Sequence, residues 1–113
     1  MNAEKTQPPI LKAEALERLG GEEDFLDELL KLYRKEFAAQ RRAMRNAFSK
    51  RDMPSLRELG HALKGASANL SLPGMREAAA ALETAGREDD LAAARAALAR
   101  LDAEFARLRA FLR

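Results

Sequence analysis

His61 is the only histidine among 113 residues, and it stands in the run His61-Ala62-Leu63-Lys64-Gly65-Ala66-Ser67. The surrounding leucines place it. Leu56, Leu59, Leu63, Ala66 and Leu70 are spaced by 3, 4, 3 and 4, the apolar stripe of a bundle helix. At about 100° per residue, the imidazole projects roughly 175° from the centre of that stripe, toward water. Arg57, Lys64, Gly65 and Ala68 share its face at i−4, i+3, i+4 and i+7. A histidine ring nitrogen can carry a phosphoryl group as a covalent intermediate. Such a carrier needs a neutral imidazole, which predominates near neutrality for an exposed ring of ordinary pKa about 6.5. It needs a cation against the added negative charge, and Lys64 is in reach. It also needs room for a second protein to approach in line, which Gly65 and Ala68 leave open.

Two readings of Gly65 stand side by side. A mid-helix glycine costs about 1 kcal/mol relative to alanine. Either a partner must come close to the backbone there, or the position is a tolerant piece of surface.

Other chemistries lack their parts. With one histidine and no cysteine, only carboxylates remain for a metal, and no zinc site is expected. Ser67 and Ser71 lie near His61, but no nucleophile-elbow pattern accompanies them. Gly20-Gly21 is followed by acids, not by the Lys-Ser or Lys-Thr of a nucleotide loop. Self-phosphorylation from ATP is therefore not expected. The cluster Arg41-Arg42-Ala43-Met44-Arg45 reads as a solvated helix face. A net charge of +2, from 20 basic and 18 acidic residues, gives no general excess for nucleic acid.

The elements that must hold His61 are all helical. Apolar residues make up 47% of the chain, alanine and leucine dominate them, and strand alternation is absent. Residues Met1 to Pro9 read as a flexible tail, and residues 10–113 as one domain with one core. Ile10 to Leu19 suit a short helix closed by Gly20-Gly21. Glu22, Glu23 and Asp24 open a second, running to about Lys50. Asp52-Met53-Pro54 starts a third, which carries His61 to about Leu70. Ser71-Leu72-Pro73 repeats that start signal for a fourth, ending near Gly86. Asp89 or Asp90 caps a fifth. Short links favour an antiparallel up-down four-helix bundle with a short extra N-terminal helix. No apolar run reaches the roughly 18 residues of a membrane span. The N-terminal residues lack the apolar stretch of a signal peptide, so a cytoplasmic location is expected.

The run His61-x-Leu63-Lys64-Gly65-x-Ser67-x-Asn69-Leu70 resembles the signature of histidine-containing phosphotransfer domains. The short first helix ending in Gly-Gly, the acidic start with Phe25 and Leu29-Leu30, and Leu82-Glu83 also fall where that family has similar features. The resemblance implies a helical bundle that relays phosphoryl groups between receiver-domain aspartates. It implies His61 as the acceptor through Nε2, Lys64 steadying the phosphoryl charge, and Gly65 keeping the docking surface open. Glu83 falls where many members place Gln or Glu. It would orient the ring through Nδ1–H, or be an ordinary solvated carboxylate. Arg57, Arg76 and Ala68 would complete the partner-binding face beside leucine-rich neighbours of the second helix.

The chain departs from the family at three places. Ala68 and Ser71 stand where glycine is frequent, Ser71 being expected to cap the next helix. Gly60 stands where alanine is commoner, which is expected to loosen the helix locally.

Carried over, the resemblance gives a monomeric phosphoryl carrier without kinase activity and without a cofactor of its own. Its partners would be response-regulator receiver domains, supplying Mg²⁺, and a hybrid histidine kinase. Neither nucleic acid nor membrane is an expected partner. Two rivals remain open: a docking module that never carries phosphate, and a kinase dimerisation hairpin. The latter usually has an acid where Ala62 stands.

Overall fold

The computed structural model describes residues 7–112, all in helices and short links. The helices are α1 (Lys12–Arg18), α2 (Glu23–Ser49), α3 (Met53–Asn69), α4 (Pro73–Arg87) and α5 (Leu91–Phe111). Helices α2 to α5 form the antiparallel bundle, and α1 lies across one end of it. Leu26, Met44, Leu56, Leu63, Leu72, Met75, Leu82, Leu101 and Leu108 are fully buried in its core. The closest pairing is α3 with α4, followed by α4 with α5. Helix α2 is held partly through rings: Phe37 meets Phe105 of α5 with centroids 4.3 Å apart. Among the described residues no helix is long and apolar enough to cross a membrane.

One turn design ends α1, α2, α3 and α4. In each, the second residue past the helix cap donates to a carbonyl five positions back, and the residue before it donates three positions back. The pairs are Gly21 to Leu16 and Gly20 to Glu17, Asp52 to Ala47 and Arg51 to Phe48, Leu72 to Ser67 and Ser71 to Ala68, Asp90 to Ala85 and Asp89 to Gly86. This pattern satisfies the last carbonyls but needs a left-handed residue in the middle. Glycine supplies it once, at Gly20 with φ 71°. The other three turns use Arg51, Ser71 and Asp89, with φ of 55°, 57° and 57°.

In those three turns the residue that closes one helix also precedes the next. Asp52 accepts from the Ser55 amide at 3.2 Å and hydroxyl at 2.7 Å, and Asp90 accepts from the Ala93 amide at 3.0 Å. Those bonds hold the Asp52 carboxyl below its usual range. The expectation for Ser71 is overturned. Leu72 is the cap residue of α4 and makes no side-chain bond, while Ser71 is buried with its hydroxyl unpartnered. Ser71 works through its backbone, whose carbonyl accepts from the Leu11 amide at 2.9 Å and so anchors α1.

Of the expected Met1 to Pro9 tail, the structure describes Gln7 to Pro9. Met1 to Thr6 lie outside the described residues. Pro9, however, is buried, and Arg107 of α5 donates to the Gln7 carbonyl.

A left-handed backbone costs a non-glycine residue about 1–2 kcal/mol, partly offset in glycine by its greater freedom when unfolded. Ser71→Gly, Arg51→Gly and Asp89→Gly are each expected to raise stability by about 0.5–1 kcal/mol. Ser71→Gly should gain most, because it also removes a buried unpartnered hydroxyl. Urea unfolding midpoints check this; a loss of stability in all three variants would contradict the strain argument.

Candidate functional site

The buried face of α3 is not quite the leucine stripe. Met53, Leu56, Gly60, Leu63 and Ser67 are its buried residues, whereas Leu59 and Ala66 are only half-buried. At 100° per residue this turns the buried face about 60° toward α4. His61 therefore does not point directly away from the core. It sits on the α4-facing shoulder, with its side chain 70% exposed.

The shoulder position brings it to Glu83. Nδ1 of His61 lies 2.9 Å from Glu83 Oε2, and Lys64 Nζ lies 2.7 Å from Oε1 of the same carboxylate. Glu83 itself is only 13% exposed at its side chain, so it is not an ordinary solvated carboxylate. The Lys64 bond holds its carboxyl below the usual range, against the opposing effect of partial burial, and the His61 bond adds to this. An ionised carboxylate only accepts, so Nδ1 must carry the proton. With Nδ1 as the donor, Nε2 is the ring nitrogen left without a partner among the described residues, on a side chain 70% exposed. Lys64 is thus paired with Glu83, on the oxygen that His61 leaves free.

Gly60 does not loosen α3, which runs unbroken through it. The residue is buried and lets α4 lie directly on α3. A Cβ there would sit 2.6 Å from the Glu83 amide nitrogen and 2.9 Å from the Ala79 carbonyl oxygen. Gly86 of α4 makes the reciprocal contact, with a virtual Cβ 2.6 Å from the Arg57 nitrogen. Gly65 is the opposite case: nothing lies within 4 Å of a Cβ built on it. No contact among the described residues calls for a glycine there.

Beside the imidazole is an open groove of about 570 Å³, lined by Pro54, Arg57, Glu58, His61, Glu83, Gly86 and Arg87. Arg57 thus flanks His61 as expected. Arg87 was missed, although it stands four residues after Glu83 and so on the same side of α4. Arg76 lies elsewhere, in a second groove with Arg18, Ala68 and Ser71. It neighbours Ala68 and not the imidazole. Ser67 is fully buried and shares a 2.7 Å hydrogen bond with the Tyr33 hydroxyl, so it ties α2 to α3 and offers no nucleophile. Burial raises the Tyr33 pKa well above its usual value and keeps that hydroxyl protonated. Among the described residues no group of three or more histidine, aspartate or glutamate side chains could hold a metal ion.

A family model described as the Hpt domain matches residues 28–111, and the chain belongs to the Hpt domain family. Members are histidine phosphotransfer modules of phosphorelays, phosphoryl carriers and not kinases. No curated protein and no solved structure matches the chain.

Because the Glu83 carboxyl is held low in the fold, its contribution to stability is complete above the ordinary carboxylate pKa. It is lost as pH falls through the lowered value. Glu83→Gln should therefore flatten part of the acid-side decline in stability, leaving the part due to Asp52. Urea midpoints measured across the acidic range check this. Parallel profiles for the two proteins would show that Glu83 is not held by its partners in solution.

Proposed function

We propose that His61 is the phosphoryl-carrying residue and exchanges the group with an aspartate of a receiver domain. The observation that supports this most directly is the bond from Nδ1–H to Glu83, which leaves Nε2 as the open nucleophile on an exposed ring. In the forward step the Nε2 lone pair attacks phosphorus in line. The N–P bond forms as the bond from phosphorus to the aspartyl oxygen breaks, and the electron pair leaves with the aspartate carboxylate. The proton stays on Nδ1, and the positive charge gained by the ring faces the Glu83 carboxylate. The return step is the same path reversed.

Glu83 is the orienting group in this reading, fixing both the tautomer and the ring plane. Lys64 has two effects. It keeps Glu83 ionised, and it adds positive charge beside the ring where the phosphoryl oxygens come to lie. The step as written asks for no acid, base or metal ligand from the described residues of this chain. Mg²⁺ and the acidic pocket that binds it would belong to the receiver, and a hybrid histidine kinase could supply the upstream group.

The partner would seat on the outer surface between α3 and α2. Helical geometry puts Ala62, Gly65 and Asn69 of α3 on one side of that helix, and Leu32 of α2 is 49% exposed and would join them in the surface. A solvated leucine and a bare helix backbone suit an apolar partner surface. Arg57 and Lys64 along one edge would favour an acidic rim, mainly through encounter rate and selectivity.

Incubation with phosphoramidate, a small donor that needs no cognate partner, tests the carrier role. Wild type should gain one acid-labile phosphate, and His61→Gln should gain none while keeping its helical circular dichroism. Labelling retained in the variant would refute the assignment. Absence of labelling in folded wild type would favour a docking module that carries no phosphate. For the docking surface, Gly65→Gln should weaken receiver binding about tenfold, or about 1.4 kcal/mol, in a calorimetric titration. An unchanged affinity would mean the partner does not approach the helix there.

A further inference from the structure

We infer that Gly60 is a positioning residue: by lacking a Cβ it sets how closely α4 lies on α3, and that closeness brings the Glu83 carboxylate to His61. The inference rests on the reading of His61 and Glu83 given above and extends it to a residue that touches neither the ring nor the phosphoryl group.

Geometry carries the argument. A Cβ at position 60 would meet the Glu83 amide nitrogen at 2.6 Å, the Ala79 carbonyl oxygen at 2.9 Å and the Glu83 Cα at 3.0 Å. All three are backbone atoms of one helix, so no side-chain rotation relieves them. To accept even alanine, α4 must move off α3 until the closest contact opens from 2.6 Å toward the 3.4 Å where ordinary contact begins. Two of the three atoms belong to Glu83. The residue displaced is therefore the one whose carboxylate bonds the ring.

His61 follows Gly60 directly in α3 and does not move with α4. Displacing the Glu83 backbone from α3 carries its side chain away from the helix on which the ring is rooted. A hydrogen bond of 2.9 Å stretched by several tenths of an ångström is at the edge of what counts as one. Lys64 offers no compensation, because it too is rooted in α3 and holds the other oxygen of the same carboxylate.

The mid-helix glycine also has no other reason on the page. It is buried, its helix is unbroken, and its helical conformation is open to any residue. Glycine costs that helix about 1 kcal/mol relative to alanine, and the contact it permits is what it brings in return. Its cost is met where two backbones touch beneath the bond that selects the nucleophilic nitrogen.

The test combines Gly60→Ala and Glu83→Ala, singly and together, in a Ser71→Gly background to offset lost packing. Nitrogen chemical shifts of the His61 ring report the tautomer without any phosphorylation. Phosphoramidate labelling reports nucleophilicity, and urea midpoints report the fold.

Gly60→Ala is expected to lower the Nδ1–H tautomer fraction and to slow labelling about threefold to tenfold. In the Glu83→Ala background it should lower the urea midpoint again but leave tautomer and labelling rate where Glu83→Ala alone puts them. An unchanged tautomer in the folded Gly60→Ala protein overturns the inference. So does an equal loss of labelling rate with and without Glu83, since Gly60 would then act on the fold alone. If wild type takes no phosphate, the carrier reading fails. The ring shifts still decide whether Gly60 sets the Glu83–His61 bond.

Discussion

The contact of α3 backbone on α4 backbone is the constraint from which the rest of the site follows. Gly60 and Gly86 stand on opposite helices, each against the backbone of a charged residue of the other: Gly60 under Glu83, and Gly86 under Arg57. Both charged residues line the groove at His61. Side chains normally keep helix axes 8–10 Å apart. Where two glycines remove them, a glutamate rooted on the neighbouring helix can reach back to an imidazole and an ammonium together. The low exposure of Glu83 comes from the same closeness, and so does the asymmetry of the bundle, in which α3 and α4 are the best-joined pair.

The turns serve this arrangement. Three links repeat one left-handed design, and in each the residue that completes one helix precedes the next. Such links leave no slack, so each helix is fixed antiparallel to its predecessor with a set register. The register of α4 on α3 puts residue 83 opposite residue 60. A longer link after Leu70 would let that register drift, and the carboxylate would meet a different turn of α3. The strain held at Arg51, Ser71 and Asp89 accompanies that brevity.

Much of this was legible in the sequence because helices announce their beginnings chemically. Asp52 and Asp90 cap as their residue type suggests, and prolines open α3 and α4. Helix ends were harder to read, since only the first turn uses glycine at its left-handed residue. The leucine stripe found α3 but mis-aimed it. A stripe counted from large apolar side chains overlooks Gly60 and Ser67, which are buried for reasons other than apolar area: one by the close approach of a backbone, the other by its bond to Tyr33. That omission turned the histidine too far from α4. The pairing of Glu83 with both His61 and Lys64 depends on which turns of two helices face each other, and spacing along one chain does not contain that. Arg76 was misplaced for the same reason.

The imidazole at position 61 is held out in the open. Its side chain is 70% exposed on the shoulder of α3, with bare Gly65 a turn away and an open groove beside it. A ring so placed can be grasped, but it does not enclose. Under the carrier reading proposed above, the enclosure around the moving group would therefore come from the partner, and this chain would contribute an imidazole held out to it.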